Sequence, residues 1–408
     1  MNLDRPTTQP WLQPATYWGG MTAATASLDT PVGALNLTAL AHNTHDMLDR
    51  ANGTTIRVAS KSLRVRGVIE EVLKLPGYAG VLAYTLPEAL WLAETIDDIV
   101  VGYPSVDATA IRTLGNSASL ARRVTVMVDS VAQLDAIDAV LPPGTRESIR
   151  VCLELDASWK SRLIGHTGVY RSPVHSVEQA VDLARHIVGR RGFDLVGIMS
   201  YEAQIAGVTN RPPGKPVRAR LVDWMQRSSF DELTNRRGQV VAAVREIADL
   251  QFVNGGGTGS LERTSSDPAV TEIAAGSGLF GPRLFDGYSH FTPAPAAAFA
   301  LSVVRKPTPE LATLLGGGWI ASGPPAPDRM PQLAWPEGLE YLAREGAGEV
   351  QSPVRGAAAA RLAVGDRVWL RHTKAGEASE HLNAFAVVDG DTIVDTVPTY
   401  RGEGKAFL

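Results

Sequence analysis

The chain has 408 residues, 44% of them hydrophobic and 20% charged, with a formal net charge of -4. That balance belongs to a globular protein long enough for more than one domain. With no Lys/Arg block it excludes nucleic acid and anionic membrane surfaces as expected partners.

The opening MNLDRPTTQPWLQPATYWGG lacks the charged-then-apolar layout of a signal peptide, and no apolar stretch is long enough to span a bilayer. A cytoplasmic location is therefore expected. Residues 1–30, rich in Pro, Trp and Gly, are expected to pack on a C-terminal β-domain rather than to begin the main one. From 31 to 290 short β-branched runs alternate with helical patterns. A first helix is expected from about Thr38 to Ala51, with Leu37, Leu40, Met47 and Leu48 along one side and Gly53 at its stop. The runs TIRVAS, GVLAYT, DIVVGY, RVTVMVD, IRVCLELD, FDLVGIMSY, LQFVNGGG and AVTEIAAGSG then follow as eight strand candidates. Most are trailed by apolar residues at i, i+3, i+4 spacing, such as Val68, Ile69, Val72 and Leu73. Several are nearly continuous apolar runs, as in a parallel sheet covered on both faces. The lone cysteine, Cys152, lies in one of them and reads as a small buried hydrophobe, in keeping with a reducing compartment. Eight such units predict an α/β fold of the (β/α)8 TIM-barrel type, although periodicity alone leaves an open doubly wound sheet in play. From 291 to 408 proline-rich stretches and short strands take over, and Asp389-Gly390 between two apolar runs signals a hairpin. A smaller C-terminal β-domain is expected there.

Three features carry chemistry. Lys61 ends the first barrel run in IRVASKSLRV, on the face where barrel enzymes keep their sites; on position alone it could as well be a solvated surface lysine. A lysine there can condense with an aldehyde if its surroundings lower its pKa, and Arg57, Arg64 and Arg66 bring nearby positive charge. The seventh run ends in Asn254-Gly255-Gly256-Gly257-Thr258-Gly259-Ser260 and the eighth in Ala275-Gly276-Ser277-Gly278, the two loops that commonly bind a phosphate in such barrels. Glycine runs also occur in plain turns; the two loops together with the lysine are the more specific combination.

VASKS, SYEAQIAG, NGGGTGS, RHTKAGEASEHLN and VVDGDTIVDTVPTYRGEG resemble the fold-type III pyridoxal-phosphate proteins with an alanine-racemase-like barrel, above all the D-threonine aldolase and D-serine dehydratase branch. The resemblance implies pyridoxal 5'-phosphate as cofactor, a small amino acid as substrate and a homodimer. It makes Lys61 the Schiff-base lysine, sets Tyr201 against the cofactor ring, and puts Gly256, Gly257, Thr258, Gly276 and Ser277 at the phosphate. Arg162, in DASWKSRLIG, resembles the arginine on the ring oxygen, with Lys160 and Arg171 as rivals. Relatives carry a His-x-Cys or His-x-Asp pair for a divalent metal. Here His372 and Lys374 stand in those places, and an ammonium group does not ligate a metal. Glu377, Glu380 and His381 could substitute, so the metal stays open. In the metal-free version Lys374 takes the metal's electrostatic place and His372 acts at the substrate hydroxyl; in the bland one both are structural. The implied activity is lyase chemistry on a D-β-hydroxy amino acid, by retro-aldol cleavage or by dehydration. The alternatives are a racemase, with Tyr288 as second base, and a non-catalytic carrier, against which the extra β-domain argues. A metal-dependent barrel hydrolase would want more His and Asp at the strand ends than the eight scattered histidines supply.

Overall fold

A computed structural model describes residues 1–211 and 214–408. It divides into two compact units, one of Leu48–Lys61, Leu73–Gly276 and Phe407–Leu408, the other of Met1–Met47, Ser62–Val72 and Ser277–Ala406.

In the first unit eight parallel strands close into a barrel. In chain order they are Thr55–Ala59, Tyr78–Ala83, Ile99–Val101, Val124–Val128, Ile149–Glu154, Phe193–Ser200, Phe252–Gly255 and Glu272–Ala275, called strands one to eight below. Closure is made by strand eight on strand one, with Ile273 opposite Ile56 and Ala275 opposite Val58, so the open sheet is excluded. Every one of the eight expected runs holds a strand. Val100, Met127, Cys152, Val196, Met199 and Phe252, from strands three to seven, pack into one buried cluster, which leaves the Cys152 thiol sealed from solvent. The connecting helices carry ordinary start signals. Ser176 and Gln179 form a reciprocal capping box ahead of Val177–Val188.

The second unit is built on a nine-stranded sheet. Val32–Asn36 lies inside it, antiparallel to Ala297–Thr308 and parallel to Ala384–Asp389. The expected hairpin is present: Ala384–Asp389 pairs with Thr392–Pro398, and Gly390 turns at φ +62, a conformation that favours glycine. The helix Pro14–Ala24 sets Tyr17, Trp18 and Met21 against Val32, Ala298, Trp369 and Val388.

The compact units therefore do not divide at 30/31 and 290/291. Residues 31–47 go with the sheet, because their strand finds both of its partners more than two hundred residues downstream, at Ala297–Ala300 and Phe385–Val388. Residues 62–72 go with it too. The Tyr400 amide donates to the Arg64 carbonyl at 2.8 Å and the Ser379 hydroxyl to the Leu63 carbonyl at 2.6 Å. The helix expected from Thr38 is Leu37–Ala51. Among the described residues no helix is long and apolar enough to cross a membrane.

Candidate active site

Lys61 sits in the 3-10 turn Ser60–Ser62, directly after strand one. Its Nζ donates to the phenol oxygen of Tyr103, two residues beyond strand three, at 3.1 Å. The Arg171 guanidinium, from the long loop after strand five, stands 5.4 Å from the centre of the Tyr103 ring. It stands 5.1 Å from that of Tyr201, just past strand six. Glu154, the last residue of strand five, is buried beside them. Burial pushes its carboxyl up to about 7, against Arg171 and with Asp129 and Asp156 adding to the rise. Burial would also raise the Tyr103 phenol, but the charges of Lys61 and Arg171 outweigh it and hold that phenol below the ordinary tyrosine value. The Tyr201 phenol, which burial pushes up to about 12, stays protonated near neutrality.

Arg162 lies in the exposed turn of the hairpin Trp159–Ser161/Gly165–Thr167, and it is its rival Arg171 that stands over Tyr201. The arginines near Lys61 in sequence are spent elsewhere, Arg57 on Glu272 and Asp98, Arg64 on Glu380 and Arg66 on Glu403. The positive charges acting on Tyr103 at this face are Lys61 itself and Arg171. Tyr103 and Glu154 were not singled out from sequence, although a hydroxyl and a carboxyl closing the apolar runs DIVVGY and IRVCLE at the active end of a barrel are the signal that could have found them.

The loop after strand seven is a layered structure. A Cβ on Gly255 would come 2.8 Å from Arg237 Nη1; one on Gly256, at φ +71, would come 2.7 Å from Thr264 Oγ1. These two glycines make room for a buried ionic network. Arg237 bridges Glu202 and Asp267, all three fully buried. Glu202 accepts from the Gly256 amide at 2.9 Å and from the Thr264 hydroxyl at 2.8 Å. The Gly256 amide is thus turned to a carboxylate and is not a free anion donor. Thr264 in turn meets Ser260 at 2.9 Å, and Ser260 accepts from the Gly257 amide at 3.2 Å. Gly257 faces the aromatic side: a Cβ there would lie 3.5 Å from the Tyr201 ring and 3.0 Å from Ala206. Thr258 is buried, its carbonyl held by Arg50 at 2.6 Å. At Gly276 a Cβ would strike the Ala59 carbonyl at 2.3 Å, so strands eight and one need glycine where they meet. Ser277 opens the turn of helix Ser277–Phe280 and donates to Ser62 at 2.8 Å.

In the other unit His372 is buried, edge-on to Phe280. Burial holds its imidazole below the ordinary histidine value, with Glu377 and a hydrogen bond to the Ala297 backbone opposing. Lys374 Nζ donates to the Ser322 carbonyl at 3.3 Å. Of the alternative metal ligands, the two carboxylates are engaged and the imidazole is stacked on an indole. Glu377 accepts the backbone amides of Thr373, Lys374 and Ala375, Glu380 pairs with Arg64, and His381 stacks on Trp319 at 4.9 Å. Among the described residues no group of three or more His, Cys, Asp or Glu side chains is placed to hold a metal ion. Tyr288, buried between Phe285 and Phe291, is a core aromatic.

Known proteins share this architecture. The chain is 26% identical over 260 residues to a 3-hydroxy-D-aspartate aldolase from Paracoccus denitrificans, a match covering 62% of this chain and 61% of the relative. To a D-threonine aldolase from Arthrobacter sp it is 26% identical over 317 residues, 74% of this chain and 76% of the relative. The crystal structure of D-threonine aldolase from Filomicrobium marinum superposes with a TM-score of 0.73 at 22% identity, covering 92% of this chain and 96% of that one. D-threo-3-hydroxyaspartate dehydratase from Delftia sp. HT23 follows at 0.69 and 20%, covering 92% and 98%. The family defined by the alanine racemase N-terminal domain matches residues 35–283, more than half of the chain. This chain belongs to the alanine racemase N-terminal domain family.

Proposed function

We propose that this chain is a pyridoxal-phosphate-dependent lyase of D-configured β-hydroxy amino acids. The observation that carries the reading is the run of contacts Lys61, Tyr103, Arg171, Tyr201 and Gly257 across the C-terminal ends of strands one, three, five, six and seven. Those residues fit the cofactor group by group. Lys61 offers an amine for the aldehyde carbon, the Tyr201 ring a flat wall for the pyridine, and Arg171 a cation for the ring oxygen. Gly257 leaves open the space a Cβ would fill, and with Thr258 and Ser277 it would hold the phosphate. Gly256 and Gly276 shape the two loops from behind. The cofactor's ring, when bound, accepts the electron pair released as a bond at Cα or its neighbour breaks.

The chain's own part is to bind, orient and move protons. Lys61 would hold the cofactor's aldehyde carbon and keep its amine within reach of that carbon for the substrate's arrival and departure. Both retro-aldol cleavage and loss of the β-hydroxyl need a group that manages the hydroxyl proton. His372 has the chemical form for it, an imidazole that burial keeps neutral. Lys374, engaged with Ser322, is the weaker part of the expected pair. A cytoplasmic homodimer completes the reading, on family likeness and the single buried cysteine. The test is a panel of D- and L-β-hydroxy amino acids scored together for aldehyde, for ammonia with keto acid, and for the inverted enantiomer. Aldehyde or ammonia from the D-series supports the proposal and separates aldolase from dehydratase. Inversion alone would make the chain a racemase, and no product from any substrate would make it a carrier.

A further inference from the structure

We propose that Tyr103 is the proton-exchange partner of Lys61: its phenol oxygen takes the proton Lys61 sheds before its amine can bond a carbonyl carbon, and returns it when that bond is broken. The inference rests on the reading of Lys61 as the cofactor lysine. An ammonium has no lone pair to attack with, so a half-buried catalytic lysine is served by an acceptor within hydrogen-bond reach. The Tyr103 oxygen stands 3.1 Å from Nζ.

The charges around the phenol suit that task. Lys61 comes from the turn after strand one and Arg171 from the loop after strand five, both cationic and both lowering the phenol. Glu154, at the end of strand five, opposes them; the Tyr201 phenol across strand six, and Tyr84 and Asp107 on a shared cavity, are the further titratable neighbours. With Arg171 over its ring, a Tyr103 phenolate is stabilised without an ion pair that would consume its oxygen. Tyr103 also borders a cavity of about 270 Å³ together with Tyr84, Ser105, Asp107 and Phe407, which leaves it half-open and able to re-equilibrate with solvent. The step is balanced: one proton passes from ammonium to phenolate, giving neutral amine and neutral phenol, and no other reactant is required.

The test is the pH dependence of cofactor loading. Full-length protein is stripped of cofactor and mixed with pyridoxal phosphate across the neutral to alkaline range, and growth of the protein-bound chromophore is timed. Tyr103→Phe should slow loading about a hundredfold near neutrality, with the gap closing as the pH nears the ordinary lysine range. Difluorotyrosine at position 103, of the same shape but more acidic, should move the limb of the profile to lower pH. A Tyr103→Phe profile lying on the wild-type one, or lowered by the same factor at every pH with no displacement by difluorotyrosine, overturns the proposal; circular dichroism checks that each variant folds. Borohydride reduction and peptide mapping of the wild type report separately whether pyridoxal phosphate reaches Lys61. If it does not, the underlying reading fails first and the role of Tyr103 with it.

Discussion

Glu154 shows how a single residue can be costly to the fold and available to chemistry. Its carboxyl is raised by burial to about 7 in the folded chain, whereas an unfolded glutamate titrates near ~4.3. Between those values the folded state holds a proton the unfolded state has lost. Stability therefore falls as pH rises through the window, and the full penalty is present above it. Glu154→Gln should thus stabilise the cofactor-free protein by about 3 kcal/mol at about pH 8 and leave it unchanged below about pH 4.5. Denaturant midpoints at the two pH values check this, and an equal gain at both would deny that the carboxyl is ionised at a cost. At this scale the sequence was unevenly legible. Lys61 declares itself by ending a barrel strand, but Lys160, Arg162 and Arg171 share one loop and one charge. Only the folding of the hairpin, which carries Arg162 out to its exposed turn, separates Arg162 from Arg171.

Among elements, the strands were the most readable, because parallel strands buried on both faces are written as unbroken apolar runs. The glycine loop was not readable in detail. The same three letters serve two jobs, Gly255 and Gly256 clearing space for Arg237 and Thr264 while Gly257 clears space at Tyr201. Arg237→Met would leave Glu202 and Asp267 as buried carboxylates without their cation, and breaking such a cluster costs about 3–5 kcal/mol. Thermal and denaturant unfolding should show that loss, together with weakened retention of pyridoxal phosphate, since Glu202 also fixes the Gly256 amide. Unfolding at the wild-type midpoint would mean the network contributes nothing. The turn 372–381 invites a second check. With Lys374 in the place of the second metal ligand, and an ammonium unable to ligate, a chelator should leave turnover unchanged. Loss of activity on chelation, restored by a divalent cation, would contradict that assignment.

For the whole molecule, contiguous stretches of sequence and compact units differ. A strand as short as Val32–Asn36 carries no mark of the sheet it joins, and its partners lie at the far end of the chain. A fragment of residues 31–290 strips that strand of both neighbours and takes the Ala294 carbonyl from Asn43. It should be aggregated or devoid of a cooperative unfolding transition, and a fragment that unfolds like the intact protein would show the strand to be dispensable. The chemistry of the whole molecule converges on Lys61. Protein purified with pyridoxal phosphate, reduced with borohydride, digested and mapped by mass spectrometry should carry a pyridoxyl group on the peptide containing Lys61, and Lys61→Ala should carry none. An adduct on a different lysine, or no adduct on the wild-type protein, would contradict it.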